Sequence, residues 1–429
     1  MRYSNVRASS VIGEGNSRLD ASRSMRPKAK VLYYTDFVYG RKVSLLRALN
    51  RLTDLYVAFD HSDSSKGESA LRGVTDQRLE IASILGRKRV FSLDVIRLKG
   101  NFEIPRLRAI LRVMRMALSL DTVLIDDAQT SVDFLIISSL AAVSRKKRIN
   151  MFEGTYLGRY HGFLPLVLAS MFKQALRIIL LRGSLILPAS DGALLFARQY
   201  GLLRGANPSV TAALRYVDSE TFHPDTSIRR RKRKELGLSD EDLVVLYVGG
   251  FREVKGFDVL ARVFLNNKVS RWKLVVVRYG RAFADLVQSL AKCSNVLYID
   301  PVPYSRMPEL YQASDVVVVP STIHEGGVDN APNVVAEAMA SGCAVVCSSS
   351  GGIPSMAGDA ALYFQRDNSQ DLYEKLSFIT EANNLTTYKR RSLSRYDSSG
   401  PVQAANVLST EIARQLGSEG VVADVPKAE

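Results

Sequence analysis

The sequence predicts an α/β fold of two Rossmann-like, doubly wound domains. Two observations carry that reading. At 429 residues the chain is too long for one hydrophobic core and suits two. Short apolar runs alternate with amphipathic stretches along both halves, the pattern that parallel strands joined by helices produce.

The elements follow in order. Val31 to Tyr34 is read as the first strand, Thr35 to Gly40 as the loop after it, and Lys42 to Leu52 as a helix. Leu55 to Phe59 is the next strand. Thr122 to Ile125 is another, ending at Asp126-Asp127-Ala128-Gln129, and Ile149 to Phe152 runs into Glu153-Gly154-Thr155-Tyr156. Leu185 to Leu187 precedes Pro188-Ala-Ser190. Open parallel sheets bind ligands beyond the carboxyl ends of their strands, so these loops are where a ligand of the first half is expected. The second half opens with Leu243 to Val248 and continues through Leu274 to Val277 and Val296 to Ile299.

Residues 316–354 are the most informative stretch. An apolar strand, Val316 to Val319, enters a loop rich in acids, Gly and Asn. Pro332 is predicted to open a helix, because its fixed φ suits the first helical position and its missing N–H is not needed there. Val334, Val335, Ala338 and Met339 give that helix a buried face, and Gly342 stops it. A strand at Ala344 to Cys347 then ends in a Gly351-Gly352 turn. Asp329 and Glu337 lie on the loop and the first turns of the helix. A helix start of this kind attracts anions, while a carboxylate there can grip hydroxyls. Phosphate together with hydroxyls describes a nucleotide sugar.

Gly249-Gly250-Phe251-Arg252-Glu253-Val254-Lys255-Gly256 follows the strand at 243–248. Paired glycines let backbone approach a ligand closely, and a cation after the turn can pair with a diphosphate. Lys255 and Arg252 are the candidates.

The ordered string from Asp329 through Glu337, Ala338-Met-Ala340, Gly342 and Gly351-Gly-Ile-Pro354 resembles the donor segment of glycosyltransferase family 4, retaining enzymes of the GT-B fold. Lys255-Gly256, Pro308-Glu-Leu-Tyr311 and Ala313-Ser-Asp315 are similar to the motifs that precede it. Between about Tyr216 and Arg395 the resemblance is nearly continuous, whereas the first half matches by strand and loop order alone. Asp329 stands where family members usually carry Glu, Gly250 where they carry Arg, and Glu153 where many carry His.

The resemblance implies a GT-B architecture whose last helix crosses back to the first domain. The boundaries it suggests are a basic, disordered segment at 1–29, an acceptor domain at 30–217, a linker at 218–240, a donor domain at 241–393, a crossover helix at 394–416 and a tail at 417–429. Glu337 is implied to hold the donor ribose. Asp329 would lie near the sugar ring, binding hydroxyls or stabilising positive charge at the anomeric carbon. Lys255, Arg252 and backbone N–H groups at Gly351-Gly352 and at 330–333 would stabilise the departing diphosphate. The implied donor-binding set is Gly249, Gly250, Arg252, Lys255, Glu325, Asn330, Asn333, Val334 and Glu337, with Asp329, Lys255 and Glu153 as catalytic candidates. Glu153 either contributes a carboxylate to acceptor activation or caps a helix. His324, beside the acid loop, is a candidate substrate contact. No metal or other cofactor is expected, because the family works without a bound divalent cation.

Charge bears on partners. The net charge is +15, from 58 basic and 43 acidic side chains. The excess is clustered at Arg87–Arg89, Arg145–Arg148, Arg229–Lys234 and Lys389–Arg391. No nucleic-acid module is recognisable, so phosphate donors and an anionic membrane surface are the better matches, each single run being read first as a solvated face. Two amphipathic stretches also bear on the membrane. In Pro105–Leu120, Arg108, Arg112 and Arg115 share a helical face, and Phe163–Arg182 is aliphatic but too short in its uncharged run to span a bilayer. Helices packed on a sheet with snorkelling basic residues explain both equally well. Cys343 and Cys347 sit in an apolar strand context and read as core thiols, which fits a reducing compartment. No signal-peptide core is visible in residues 1–30, so a cytoplasmic protein is expected, with a peripheral contact to the inner membrane face left open.

The expectation is a hexosyltransferase-type enzyme that moves a sugar from a nucleotide-sugar donor to a glycan or lipid-linked acceptor in surface-polysaccharide or glycolipid assembly, without nucleic acid as a partner. The alternatives are a GT-B nucleotide-sugar epimerase and a transferase-like binding protein with no turnover.

Overall fold

The structure, a computed structural model, describes residues 28–35, 40–60, 81–86, 89–93, 95–98, 102–105, 111, 115–116, 119–126, 132–152, 164–199, 201, 217–267, 269, 271–279, 283–324, 328–397 and 400–417. The first domain contains β1 (Lys30–Thr35), α1 (Gly40–Leu52), β2 (Asp54–Asp60), β3 (Val90–Leu93), β4 (Val95–Leu98), β5 (Phe102–Pro105), β6 (Thr122–Asp126), α2 (Val132–Val143), β7 (Lys147–Phe152), α3 (Leu164–Arg182), β8 (Leu185–Pro188) and α4 (Asp191–Gln199). Six strands form a parallel sheet in the order β3-β2-β1-β6-β7-β8, and β4 pairs antiparallel with β5.

Both faces of that sheet are covered, which is why its strands read as continuous apolar runs. Successive side chains alternate between the two faces. Val31, Tyr33, Val57, Ile149 and Leu187 pack on one side with Val43, Leu46 and Leu49 of α1. Leu32, Tyr34, Val123, Ile125 and Ile186 pack on the other with Phe134 and Ile137 of α2 and Leu181 of α3.

The second domain contains α5 (Thr226–Glu235), β9 (Leu243–Gly250), α6 (Phe257–Asn266), β10 (Trp272–Tyr279), α7 (Ala284–Leu290), β11 (Val296–Ile299), α8 (Met307–Ala313), β12 (Val316–Val319), α9 (Asn333–Ala340), β13 (Ala344–Ser348), α10 (Ile353–Ala357), β14 (Ala361–Phe364), α11 (Ser369–Ile379) and α12 (Ala382–Asp397). Its parallel sheet, β11-β10-β9-β12-β13-β14, repeats the order of the first. In each sheet the strand order reverses at one point, between β1 and β6 and between β9 and β12. Ligands bind at such points.

The last helix, α13 (Pro401–Gln415), returns to the first domain. Ala404, Ala405, Leu408 and Ile412 of α13 are buried in the same core as Val43 and Leu49. Gly400 and Pro401 start the helix at the break after α12.

Several segments differ from the sequence reading. Residues 218–240, expected as a linker, carry α5, which Asp225 caps by accepting from the backbone N–H groups of Ser227 and Ile228 at 2.8 and 2.9 Å. The basic run in α5 is only in part a solvated face: Arg230, Arg231 and Lys234 are exposed, whereas Lys232 and Arg233 are buried. Arg233 is 0% exposed and donates to Asp315 at 2.7 Å and to the Ala313 carbonyl at 2.9 Å. Asp315 also accepts from Arg229 at 2.7 Å, from Lys389 at 2.8 Å and from the Val244 N–H at 2.9 Å. Burial alone would raise the Asp315 carboxyl pKa, but Lys389 and Arg229 outweigh it and hold it below the ordinary range. Burial pulls the Arg233 guanidinium down. Its buried side is structural: Arg229 and Arg233, with Lys389 from α12, join α5 and α12 to Asp315 before β12.

The helix expected over Pro105–Leu120 does not begin where the apolar pattern suggested, because Phe102–Pro105 is the second strand of the hairpin. Arg115 is exposed, while Arg108 and Arg112 lie outside the described residues, as do residues 1–27 and 418–429. Cys343 and Cys347 are buried free thiols, both raised by burial, Cys343 to about 12. Among the described residues no helix is long and apolar enough to cross a membrane.

Candidate functional site

The switch point of the second sheet gathers the loops that leave β9, β12 and β13. Gly249 and Gly250 end β9, and a single turn over Glu253–Lys255 carries the chain to α6. Gly256 closes that turn at φ +60°, and a Cβ there would lie 1.9 Å from the Pro320 carbonyl oxygen. Only glycine meets both requirements. Its absence of a side chain lets the β9 loop lie on the β12 loop, where the Thr322 N–H donates to the Val254 carbonyl at 2.9 Å.

That close packing brings Lys255 to Asp329. The Lys255 ammonium donates to Asp329 Oδ2 at 2.6 Å, and the Ser321 hydroxyl donates to the same oxygen at 2.9 Å. The lysine and aspartate side chains keep 22% and 12% of their surface in solvent, so a ligand can reach the pair. Behind it, the Ser348 hydroxyl at the end of β13 donates to the Ser321 carbonyl. A cation, a carboxylate and a hydroxyl thus meet at the carboxyl ends of two adjacent strands, the chemistry needed to receive a phosphate and a sugar together.

Glu337 lies in the second turn of α9 and is 5% exposed. The Tyr311 hydroxyl of α8 donates to Glu337 Oε2 at 2.6 Å. Burial, then the Glu337 charge, push the Tyr311 pKa well above its ordinary value, so it stays a donor. A carboxylate offers about four lone-pair sites, and Tyr311 fixes the orientation of those on Glu337.

The turn after β13 folds against Asp329 and onto the other domain. Gly351, at φ +57°, and Gly352 leave no room for a Cβ: at Gly352 it would meet the Asn330 carbonyl at 1.8 Å and the Ser190 hydroxyl at 2.3 Å. The Asp191 N–H, at the start of α4, donates to the Ser355 hydroxyl at 3.2 Å. A Cβ on Gly192 would lie 2.4 Å from the Asn330 side-chain oxygen. The segment after β8 in the first domain therefore touches the loops after β12 and β13 in the second.

The implied residues fall as follows. Lys255 and Asp329 meet, and Gly249 and Gly250 end the strand that leads to Lys255. Arg252 is exposed beside Gly250, and Asn333 and Val334 open α9 as half-buried residues. Pro332 precedes the helix as its N-cap, in extended conformation, and not as its first helical residue. Asn330 is buried against Gly192, a role for domain contact that the sequence did not reveal. The Gly352 N–H, expected among the groups for a leaving diphosphate, donates to the Asp329 carbonyl at 3.3 Å and is thereby engaged. His324 pairs with Glu253 at 2.7 Å on the surface of the β9 turn. Glu325 and Glu153 lie outside the described residues.

Sequence reading missed Tyr311 and Ser321 as partners of the two acids, although both stand in motifs it had singled out. It also missed a buried group at the switch point of the first sheet. Lys42 lies 3.3 Å from Asp126 and donates to Thr35, and Tyr33 donates to Asp126. Asp126 and Thr35 were visible as strand ends, but nothing in the spacing linked Lys42 to them.

With this geometry in hand, comparison with known proteins gives the family of the second domain. Residues 228–396 match the family model Glycosyl transferases group 1. The matched span takes in most of α5, the Lys255 turn and the whole Asp329–Glu337 segment. The chain is 31% identical over 179 residues, 38% of its own length, to the D-inositol 3-phosphate glycosyltransferase of Corynebacterium aurimucosum. That alignment covers 41% of the relative, so the chain spans less than half of the curated protein it matches. Among solved structures, HepE of Anabaena in complex with UDP superposes with a TM-score of 0.65 at 16% identity, over 91% of this chain and 100% of that one. UDP-GlcNAc 2-epimerase from Neisseria meningitidis bound to UDP-GlcNAc gives 0.53 at 15% identity, over 90% and 100%. These likenesses establish the two-domain GT-B fold.

Proposed function

We propose that this chain is a retaining glycosyltransferase that takes a sugar from a nucleoside-diphosphate donor held at the second domain's switch point. The observation that carries the reading is the Lys255–Asp329–Ser321 group, set on loops within the Glycosyl transferases group 1 match. In this account Lys255 turns toward the diphosphate as negative charge grows on the leaving oxygen, and Arg252 is the second cation at the loop. Asp329 then faces the positive charge that develops at the anomeric carbon. The bond from that carbon to the diphosphate breaks, the acceptor oxygen forms the new bond on the same face, and its proton leaves for a base at the cleft. Glu337 takes the ribose hydroxyls at acceptor positions oriented by Tyr311. No metal or cofactor enters this account, and Glu153 remains the candidate acceptor-side carboxylate.

The acceptor is proposed to be a glycan or lipid-linked sugar, reached by a peripheral contact with an anionic membrane at the cytoplasmic face. Support comes from α3, where Met171, Phe172, Ala175 and Ile179 share one helical face, with Phe172 72% exposed. Flotation with anionic vesicles should be lost in Phe172→Ser/Ile179→Ser if this face inserts, and unchanged if it does not.

The epimerase reading rests on the fold likeness alone. Incubation of a UDP- or GDP-sugar panel separates the readings. Nucleoside diphosphate appearing with a glycosylated acceptor supports transfer, epimerised donor supports the alternative, and binding without turnover supports a donor-binding protein.

A further inference from the structure

The first domain has a second polar cavity on the edge of its sheet opposite the cleft. It holds about 430 Å³ and is lined by Arg145, Lys146, Lys147, Arg148, Arg182 and Gln415, with the backbone near Gly183. Lys147 and Leu185 begin β7 and β8, so the cavity sits at the amino ends of strands whose carboxyl ends face the second domain. It is separate from the donor and acceptor loops.

Part of its basic character has a structural cause. Arg148 donates to the carbonyls of Leu180 at 3.0 Å and Gly183 at 2.7 Å, tying off the end of α3. Burial lowers its pKa. Cations near a helix carboxyl end are favoured by the dipole, and α2, α3 and α13 all end here. That explanation covers Arg148, but it does not require Arg145, Lys146 and Lys147 as well. Among the described residues no carboxylate lines the cavity. Arg145 takes a left-handed φ of +55° in the turn after α2, a place where Gly or Asn is the usual choice. The four consecutive cations Arg145 to Arg148 around one concavity repel one another unless an anion lies among them. The volume falls in the range of about 300–1,000 Å³ usual for small-molecule sites.

We propose that this cavity binds a ligand carrying a phosphate or diphosphate group, at a site distinct from the donor cleft. Arg145 and Lys147, both exposed, supply the contacts that the ligand gains; Arg148 and the α3 carboxyl end form the rigid wall. Gln415 closes the rim from α13, so a bound phosphate joins the returning helix to the first sheet. The group could be presented by a soluble phosphate compound or by a lipid headgroup, and the chemistry at the cavity is the same.

The test uses the full chain bearing Arg252→Ala/Lys255→Ala, which removes both cations assigned to the donor cleft. Pyrophosphate is titrated by calorimetry, and flotation is measured with phosphatidylcholine vesicles with and without phosphatidic acid. Arg145→Ser/Lys147→Ser should weaken one of the two by about tenfold or more, while Arg145→Lys/Lys147→Arg keeps it. Loss of pyrophosphate binding identifies a soluble ligand, and loss of phosphatidic acid binding alone identifies a headgroup. Arg230→Ser/Arg390→Ser removes the same charge from exposed positions in the second domain and should change neither. Circular dichroism of each variant checks folding. The proposal is overturned if neither probe responds to Arg145→Ser/Lys147→Ser, or if the control pair weakens binding equally.

Discussion

Lys255 and Asp329, 74 residues apart in sequence, meet at 2.6 Å across the switch point of the second sheet. They meet because Gly256 has no side chain and allows the β9 loop to rest on Pro320. Each charge neutralises the other, so neither is left unpaired in the fold.

Lys255→Ala should lower turnover by about 10²–10³-fold, the usual loss when one preorganised charge is removed from a transition state. Its effect on thermal stability should be small, because the lysine is partly solvated. Parallel assays of Arg252→Ala decide which cation serves the diphosphate. If Arg252→Ala alone abolishes product, Lys255 is an ion-pair partner and nothing more.

Glu337→Ala is expected to weaken donor binding about tenfold or more, since a closed site offers no water to replace the lost acceptor. Tyr311→Phe should produce a smaller loss of the same kind by freeing the carboxylate's orientation. Calorimetric titration of both variants with the nucleotide sugar checks this, and unchanged affinity in a folded Glu337→Ala protein would remove Glu337 from the donor site.

Asp315→Asn should destabilise the second domain by about 3–5 kcal/mol, the range for breaking a buried ion pair, because Arg233 stays buried without its partner. The sign of the pH effect follows from a folded carboxyl pKa held below its ordinary value of about 4. Its stabilisation is present above that value and is lost as the pH falls through the folded pKa. Urea unfolding of the wild type should therefore weaken in acid more steeply than that of Asp315→Asn. Parallel acid profiles would show that other carboxyls dominate.

Gly352→Ala inserts a methyl between the Asn330 carbonyl and Ser190. Overpacking of this kind costs about 1–3 kcal/mol. Because the crowding also reaches Ser190 of the first domain, the expected result is a larger loss of kcat/KM than of thermal stability. Equal losses in both would place the strain inside the second domain.

Much of the second domain was legible from residues alone. Val316–Val319 has the predicted limits because a buried parallel strand is an uninterrupted apolar run bounded by polar turns. The β4–β5 hairpin was missed, although Lys99-Gly100-Asn101 between two apolar runs is a turn signal. The buried side of the Arg229–Lys234 run was missed because charge predicts a solvated face unless a buried acid is known to await it. That acid, Asp315, lies some eighty residues later, and only the fold brings it near. The same reason hid Tyr311 behind Glu337 and Lys42 behind Asp126. Spacing along one element can be read from sequence, whereas pairing between elements needs the topology.

The central claim is tested most directly by product formation from a UDP- or GDP-sugar panel, assayed with wild type, Lys255→Ala and Asp329→Asn. The account predicts acceptor-dependent release of nucleoside diphosphate, with the product retaining the donor's anomeric configuration, by wild type, and a turnover loss of about a hundredfold or more in each variant. Full activity in both variants would contradict it, since the Lys255–Asp329 pair would then stand outside the chemistry.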